Sequence, residues 1–153
     1  MSLLFNFRGN SPYTDYISDM HKFPINNYKK FIELPLDQFN RLKFSVYIID
    51  FNWNYLFVND AAKNNLGERG NNLMGKNMWE EFKELAADST FNLIRKKMEQ
   101  GVAVNLETIS PVNGKRLNIT GYPLEDCYYF SSSILPDKDD LIHELRNQLG
   151  RQK

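Results

Sequence analysis

Two short runs of apolar residues lie on either side of residue 52 and begin the most regular part of the chain's hydrophobic pattern. The first, 44–50, contains β-branched and aromatic residues that only Ser45 interrupts before the run ends at Asp50. The second, 55–59, follows a turn rich in Asp and Asn, whose side chains can bond their own backbone. This composition is typical of strands. The two runs therefore predict an antiparallel hairpin.

Three stretches beyond residue 100 complete the predicted strands. Apolar and polar residues alternate through 102–110 and 115–123, and a third stretch, 127–135, follows. Asn113–Gly114 lies between the first two stretches, and Asn-Gly is the strongest short hairpin signal. The sequence therefore predicts five antiparallel strands.

Between the hairpin and the third strand, apolar residues recur at helical spacing. Asn59 or Asp60 can cap a first helix, Asn77 a second, and Asp88 or Ser89 a third. The predicted order is strand, strand, three helices and three strands. It indicates an α+β fold in which the helices cover one face of the antiparallel sheet.

The pattern of apolar residues in 1–33 predicts an N-terminal helical extension ahead of the sheet. Its first helix carries an apolar stripe: Tyr13, Tyr16, Ile17 and Met20. A second short helix ends before Pro35, and a third, marked by Leu36, Phe39 and Leu42, leads into the first strand. The apolar stripes of residues 1–33 must bury either against the sheet of the same chain or against the same segment of a second copy.

Residues 136–153 predict a C-terminal helix with a narrow apolar seam. The seam consists of Leu141, Ile142, Leu145 and Leu149. Acidic residues precede basic ones along the helix, which suits the helix dipole. The helix packs on its own domain or forms a short coiled coil between two copies, and the pattern alone leaves both arrangements open.

Length, composition and charge narrow the class of protein. A chain of 153 residues with 11 Phe and 8 Tyr is long and apolar enough to bury one core. The 19 basic and 19 acidic side chains cancel, so we expect neither a nucleic-acid nor a membrane-surface binder. Cys127 is the single cysteine, so no intrachain disulfide forms, which agrees with a cytoplasmic location.

Several short motifs in the chain resemble those of PAS domains, the small sensor modules of signalling proteins. They are the strand that ends in Asp50, the V-N-x-A-A of 58–62, Leu66–Gly67, the L-x-G-K of 73–76, and 121–126. Their order and spacing match the family over roughly 35–135. The resemblance implies a PAS domain at 34–135, between the N-terminal extension and the C-terminal helix.

The resemblance also implies where a ligand would bind. PAS domains usually hold ligands between the helices and the sheet. The residues expected there are Trp79, Phe82, Phe91, Ile94, Met98, Leu117 and Ile119. A small apolar ligand in this space is one expectation, and complete filling of the space by these side chains is the other.

We expect no tightly bound haem, flavin or metal. No histidine occurs between Met78 and Gln100, where a haem ligand of the family is expected, and Cys127 lies far from the cysteine position of the photoreceptor types. His21 and His143 have no neighbouring Cys or His, so a surface role is expected for both. The central acids are expected to be helix caps and solvated side chains, and we predict no enzymatic activity.

One family feature is missing. Many PAS domains end the last strand with Asp-x-Thr, which ties the core to the output helix. Ser133, Ile134 and Leu135 stand there in this chain, followed by Pro136. The departure leaves the fold prediction intact but removes the usual linkage through which the signal leaves the domain.

The functional prediction is a sensory or regulatory PAS module of bacterial-type signalling. It would act through a homodimer of the N- and C-terminal helices, with a small apolar ligand or a signalling effector protein as further partners. A ligand-free interaction scaffold of the same fold remains the alternative. An enzyme on a similar α+β fold is the third class.

Overall fold

The computed structural model describes residues 25–33 and 35–151. Five strands form one antiparallel sheet in the order β2–β1–β5–β4–β3: β1 Ser45–Asp50, β2 Tyr55–Val58, β3 Val104–Ile109, β4 Arg116–Pro123 and β5 Cys127–Ile134. The α-helices are α1 Tyr28–Ile32, α2 Asp60–Leu66, α3 Met78–Glu81, α4 Lys83–Ala86, α5 Ser89–Glu99 and α6 Lys138–Arg151. Short 3-10 helices lie at Leu36–Arg41 and Gly67–Gly70. The predicted five-stranded antiparallel sheet is confirmed, and each strand starts and ends within two residues of its predicted bounds.

Asp50 organises the turn between β1 and β2. Its Oδ1 accepts hydrogen bonds from the backbone N–H groups of Asn52 and Asn54, both at 2.9 Å. Trp53 sits in the same turn at φ +67°, a left-handed conformation that a bulky residue rarely adopts. Burial of the Trp53 ring, which is 2% exposed, holds this backbone in place.

The side chain of Asn59 caps α2 and fixes the start of β1. Its Oδ1 accepts from the backbone N–H groups of Ala62, at 3.0 Å, and Val46, at 2.9 Å. Its Nδ2 donates to the carbonyl oxygens of Phe39, at 2.9 Å, and Phe44, at 3.1 Å. Asn59 is therefore the predicted cap, and it also ties the 3-10 helix to the sheet.

The predicted middle helix is broken at Phe82, where α3 ends and α4 begins. Asn77 caps α3 as predicted, since its Oδ1 accepts from the N–H groups of Trp79 and Glu80. Trp79, Phe82 and Leu85 are three residues apart, and each step rotates about 60° around a regular helix. The break at Phe82 (φ −121°, ψ 76°) keeps all three side chains on the core side.

The main core lies between the sheet and the helices α2 to α5. Alternate residues of the strands face it, among them Ile49 of β1, Ile119 of β4 and Phe130 of β5. Ile94 and Met98 of α5 complete it from the other side, as the helical spacing predicts. This layer is the predicted arrangement of helices on one face of the sheet.

The opposite face of the sheet carries a second apolar cluster at its β1–β2–β5 end. Val46, Ile48 and Cys127 are buried there under side chains of the segment before β1. Leu36, Phe39 and Leu42 of that segment share one face because a 3-10 helix repeats every three residues. For the described part of the predicted extension, residues 25–33, the structure shows packing on the chain's own sheet, since Ile25 and Tyr28 also join this cluster.

The turn between β4 and β5 holds α1 on this face. Asp126 Oδ1 accepts from the N–H of Tyr28, the first residue of α1, at 2.7 Å. Glu125 accepts from the side-chain amides of Asn26, at 2.9 Å, and Asn27, at 3.3 Å. We call these contacts the Glu125–Asp126 clasp.

Every residue of α6 is exposed, including the predicted seam. Leu141, Leu145 and Leu149 have exposed fractions of 49%, 50% and 62%. The described part of the chain therefore does not cover the seam. The N-terminal stripe from Tyr13 to Met20 and His21 lie outside the described residues.

Candidate functional site

A cavity of about 100 Å³ lies between the helices and the sheet, where the resemblance placed a ligand. Most of the side chains that line it are apolar, and the polar ones are hydroxyls and amides. They are Ser45, Tyr47, Ile49, Tyr55, Asn65, Leu66, Met78, Phe82, Leu85, Phe91, Ile94, Ser110, Val112, Asn113, Leu117, Ile119, Phe130, Ser131, Ser132 and Ile134.

Five of the seven predicted site residues line this cavity. They are Phe82, Phe91, Ile94, Leu117 and Ile119. Phe82 reaches it because of the break between α3 and α4, and Ile94 because it faces the sheet from α5. Whether these residues bind a ligand stays a prediction.

The other two predicted residues, Trp79 and Met98, lie in the core but do not line the cavity. Trp79 packs edge-on against Trp53, with ring centroids 5.2 Å apart, and the Arg95 guanidinium lies 4.9 Å from the Trp79 ring centroid. Met98 is 1% exposed and fills the core. Helical spacing predicted that both would be buried, but not which neighbours they would meet.

The sequence pattern did not predict that residues of β1 would line one side of the cavity. Ser45, Tyr47 and Ile49 lie at alternate positions of β1, so they share the face that points to the helices. The period of two was the available signal, but 44–50 is apolar on both faces. The second apolar face, with Val46 and Ile48, packs under the N-terminal segment instead.

Three polar side chains lie in this wall. Asn65 Nδ2 donates to Ser45 Oγ at 2.9 Å, and Tyr47 lies two residues further along β1 on the same face. Burial raises the pKa of Tyr47 to about 12, although the neighbouring Ser45 hydroxyl opposes the shift. Tyr47 therefore keeps its proton, and its hydroxyl remains a hydrogen-bond donor at neutral pH.

Tyr55 of β2 lies next to Tyr47 in the cavity wall. The two ring centroids are 6.1 Å apart. Burial raises the pKa of Tyr55, and the nearby Tyr47 and Glu81 raise it further. Both tyrosines are thus neutral, and no Asp, Glu, Lys, Arg or His is among the described residues that line the cavity.

An aromatic cluster connects the cavity wall to α5. The Trp53 ring centroid lies 4.6 Å from that of Tyr128 and 6.0 Å from that of Phe130, which lines the cavity. Trp53 Nε1 donates to Glu99 Oε2 at 2.9 Å. Trp53 and Trp79 are the two tryptophans of the chain, so tryptophan fluorescence reports on this cluster.

Cys127 lies on the opposite face of the sheet, away from the cavity. It is fully buried. Burial raises its pKa to about 12, and the neighbouring Asp126 adds to the shift. The side chain is therefore a neutral thiol. Among the described residues, no three His, Cys, Asp or Glu side chains are grouped to hold a metal ion.

Comparison with known proteins identifies the fold. No family model matches the sequence, and a search of curated proteins finds no match. Among solved structures, the PAS domain of BvgS from Bordetella pertussis is similar with a TM-score of 0.60 and 12% identity, over 82% of this chain and 99% of that one.

Two further structures are similar to this chain. The photoactive yellow protein domain of the sensor histidine kinase Ppr from Rhodospirillum centenum has a TM-score of 0.54 and 14% identity, over 71% of this chain and 99% of that one. A sensory box sensor histidine kinase from Vibrio cholerae has a TM-score of 0.51 and 16% identity, over 72% of this chain and 96% of that one.

These likenesses agree on one architecture, an antiparallel five-stranded sheet with helices over one face. This is the PAS fold, so the resemblance seen in the sequence motifs is confirmed at the level of the fold. Among the described residues, no helix has both the length and the apolar character that a membrane span requires.

Proposed function

We propose that this chain is a sensory or regulatory module of signal transduction that binds a small apolar ligand and acts through self-association. The cavity carries the proposal, because it lies between helices and sheet and most of the side chains that line it are apolar. Small-molecule sites in proteins are mostly apolar cavities with a few polar groups that orient the ligand. We further propose that the chain is not an enzyme, that it is located in the cytoplasm, and that a signalling effector protein is one of its partners.

The exposed seam of α6 supports self-association. Lys138, Asp139, Asp140 and Glu144 give the first half of the helix a formal charge of one positive and three negative side chains, or −2. Arg146 and Arg151 give the second half +2.

Two copies of α6 packed antiparallel would place opposite charges side by side and bury the seam on both. A second copy of the chain is therefore the partner that this face fits. The proposed contribution of the N-terminal stripe, Tyr13 to Met20, rests on its sequence pattern alone.

A ligand-free interaction scaffold is the second candidate. The volume of the cavity favours it, since about 100 Å³ is below the roughly 300–1,000 Å³ of most small-molecule sites. In this case the side chains would fill the core, and the chain would act through its surfaces only.

Native mass spectrometry of protein purified from cells tests the proposal. We expect a bound small molecule and a mass of two chains. Ile94→Phe places a ring into the cavity, and Leu93→Phe makes the same change at the neighbouring exposed position of α5. The extra mass should survive Leu93→Phe and disappear with Ile94→Phe. If native protein carries no small molecule, the ligand-binding proposal is wrong and the ligand-free interaction scaffold is the function that remains.

A further inference from the structure

We propose that the cavity selects uncharged ligands of about one ring in size that present a hydrogen-bond acceptor to the Tyr47 hydroxyl. This inference rests on the proposed function, because it names the class of ligand for the same cavity. Three features of the cavity carry it: its volume, its lack of charged lining residues, and the presence of Tyr47 in its wall.

The volume limits the ligand to a single ring. An engineered apolar cavity of about 150 Å³ in another protein binds benzene, so about 100 Å³ admits a molecule of similar or slightly smaller size. The surrounding side chains are large and well packed, since Phe82, Ile94 and Ile119 are each at most 5% exposed. A bicyclic ring system held wholly within this space would require these residues to move.

The lining residues exclude a charged ligand. An ion that enters an apolar site loses its hydration shell, and this loss is unfavourable unless an opposite charge in the site pairs with the ion. None of the described lining residues carries a formal charge at neutral pH, since Tyr47 and Tyr55 keep their protons. A neutral molecule avoids this loss.

The nearest competing arrangement involves Lys43. This lysine lines a surface depression that shares Asn65, Ser132 and Ile134 with the cavity. An anionic amphiphile could place its apolar end in the cavity and its charged end beside Lys43. The exposed position of Lys43 in water makes such a pairing weak.

The Tyr47 hydroxyl supplies a donor in the β1 wall. Asn65 donates to Ser45 Oγ at 2.9 Å, so this neighbouring pair is already hydrogen bonded. Tyr47 lines the cavity and keeps its proton at neutral pH, because burial raises its pKa. No carboxylate is among the described lining residues to accept this proton, so an acceptor within the cavity, such as a carbonyl or ether oxygen, can take the hydrogen bond.

Three small ligands, each with as many non-hydrogen atoms as benzene, separate these features. Cyclopentanone presents a neutral acceptor, methylenecyclopentane replaces its oxygen with carbon, and cyclopropanecarboxylate carries a charge. Each is titrated into the full chain and followed by two-dimensional amide NMR and by the fluorescence of Trp53 and Trp79. We expect cyclopentanone to bind about tenfold more tightly than methylenecyclopentane, as one hydrogen bond allows. We expect the carboxylate to bind more weakly than either neutral ligand.

Tyr47→Phe removes only the hydroxyl and is the decisive variant. It should abolish the preference for cyclopentanone and leave the affinity for methylenecyclopentane unchanged, which also shows that the cavity remains folded. Tyr122→Phe, on the opposite face of the sheet, is the matched control and should change neither affinity.

Equal binding of the two neutral ligands, a preference that survives Tyr47→Phe, or tightest binding of the carboxylate would each overturn this inference. In those cases a ligand-binding cavity would still exist, so the proposed function would stand. If none of the three ligands binds and native protein carries no small molecule, the ligand-binding part of the proposed function fails together with the inference.

Discussion

Asn59 shows how much one buried polar side chain contributes to this fold. Its amide is fully buried and makes four hydrogen bonds, which join the 3-10 helix, β1 and α2. A buried amide is tolerated only when its donors and acceptors are paired. Here the pairing also fixes where β1 begins relative to α2, and β1 carries the Tyr47 wall of the cavity.

Asn59→Ala should lower the free energy of unfolding by about 2–4 kcal/mol. It removes a helix cap and leaves two backbone N–H and two carbonyl groups without their partner. Urea denaturation followed by circular dichroism measures the change. Asn40→Ala is the control, because Asn40 is exposed and accepts one hydrogen bond, from the N–H of Asp60. Equal losses for the two variants would contradict the role given to Asn59.

The buried tyrosines and Cys127 predict that stability falls in alkali. Burial raises the pKa of Tyr47 and of Tyr129 from 10.0 to about 12, and that of Cys127 from 9.0 to about 12. Folding therefore favours the neutral forms. Their contribution is fully present below the unfolded values of 9.0 and 10.0 and is lost as the pH rises through those values towards 12.

We expect the free energy of unfolding to be constant from about pH 7 to pH 8.5 and to decrease above about pH 9. Urea denaturation at half-unit pH steps measures this profile. Tyr47→Phe removes one of the groups, so its profile should decrease less steeply above pH 10. A wild-type profile that stays flat to pH 11 would show that these groups titrate alike in the folded and unfolded chain.

At the scale of elements, the strands were predictable because their pattern is local. The turn at Asp50 and the hairpin signal at Asn113–Gly114 depend on neighbours in sequence, and both turns form as predicted. The 3-10 helix at Leu36–Arg41 was predicted only as a helix. Its apolar residues are three apart, which suits 3.0 residues per turn.

The candidate site was less predictable because it depends on contacts between distant elements. Trp79 and Phe82 both lie at apolar helical positions, but the break at Phe82 turns one side chain towards Trp53 and the other into the cavity. Tyr47 lines the cavity because β1 is an inner strand of the sheet, between β2 and β5, and Tyr47 is on its helix-facing side. Neither the position of the helix break nor the order of the strands can be predicted from the spacing of neighbouring apolar residues.

The Glu125–Asp126 clasp is expected to stabilise α1 on the sheet. Asp126→Ala should free the N-terminus of α1, because the N–H of Tyr28 loses its acceptor. Hydrogen–deuterium exchange should then be faster in 25–33, while the strands keep their protection. Asp137→Ala, at an exposed position just before α6, is the control and should leave this region unchanged. Unchanged exchange in the Asp126→Ala variant would show that packing alone holds the segment.

At the scale of the whole molecule, the two faces of the sheet differ in what covers them. Helices α2 to α5 cover one face, and residues 25–42 cover the β1–β2–β5 end of the other. The β3–β4 end presents mostly polar side chains such as Asn105, Glu107 and Arg116, two of which form an exposed ion pair, beside the exposed Ile109. Among the described residues, α6 carries the largest group of exposed apolar side chains.

This distribution predicts a dimer that depends on α6. Leu145 lies at the centre of the exposed seam, so Leu145→Asp would bury a charge in the interface and should weaken association at least about tenfold. Sedimentation equilibrium across micromolar concentrations measures the change. Asn147→Asp adds the same charge on the opposite side of the helix and should have little effect. A wild-type chain that remains monomeric throughout this range would remove self-association from the proposed function.

The orientation of the two helices is testable by disulfide formation. Opposite formal charges on the two halves of α6 predict antiparallel packing, which brings Leu141 of one copy beside Leu149 of the other. Chains with Leu141→Cys and chains with Leu149→Cys should therefore crosslink to each other when mixed, and each should crosslink poorly with itself. The native Cys127 is buried and should not interfere. Efficient crosslinking of each variant with itself would instead indicate a parallel pair, in which the two acidic halves lie side by side and the charge argument fails.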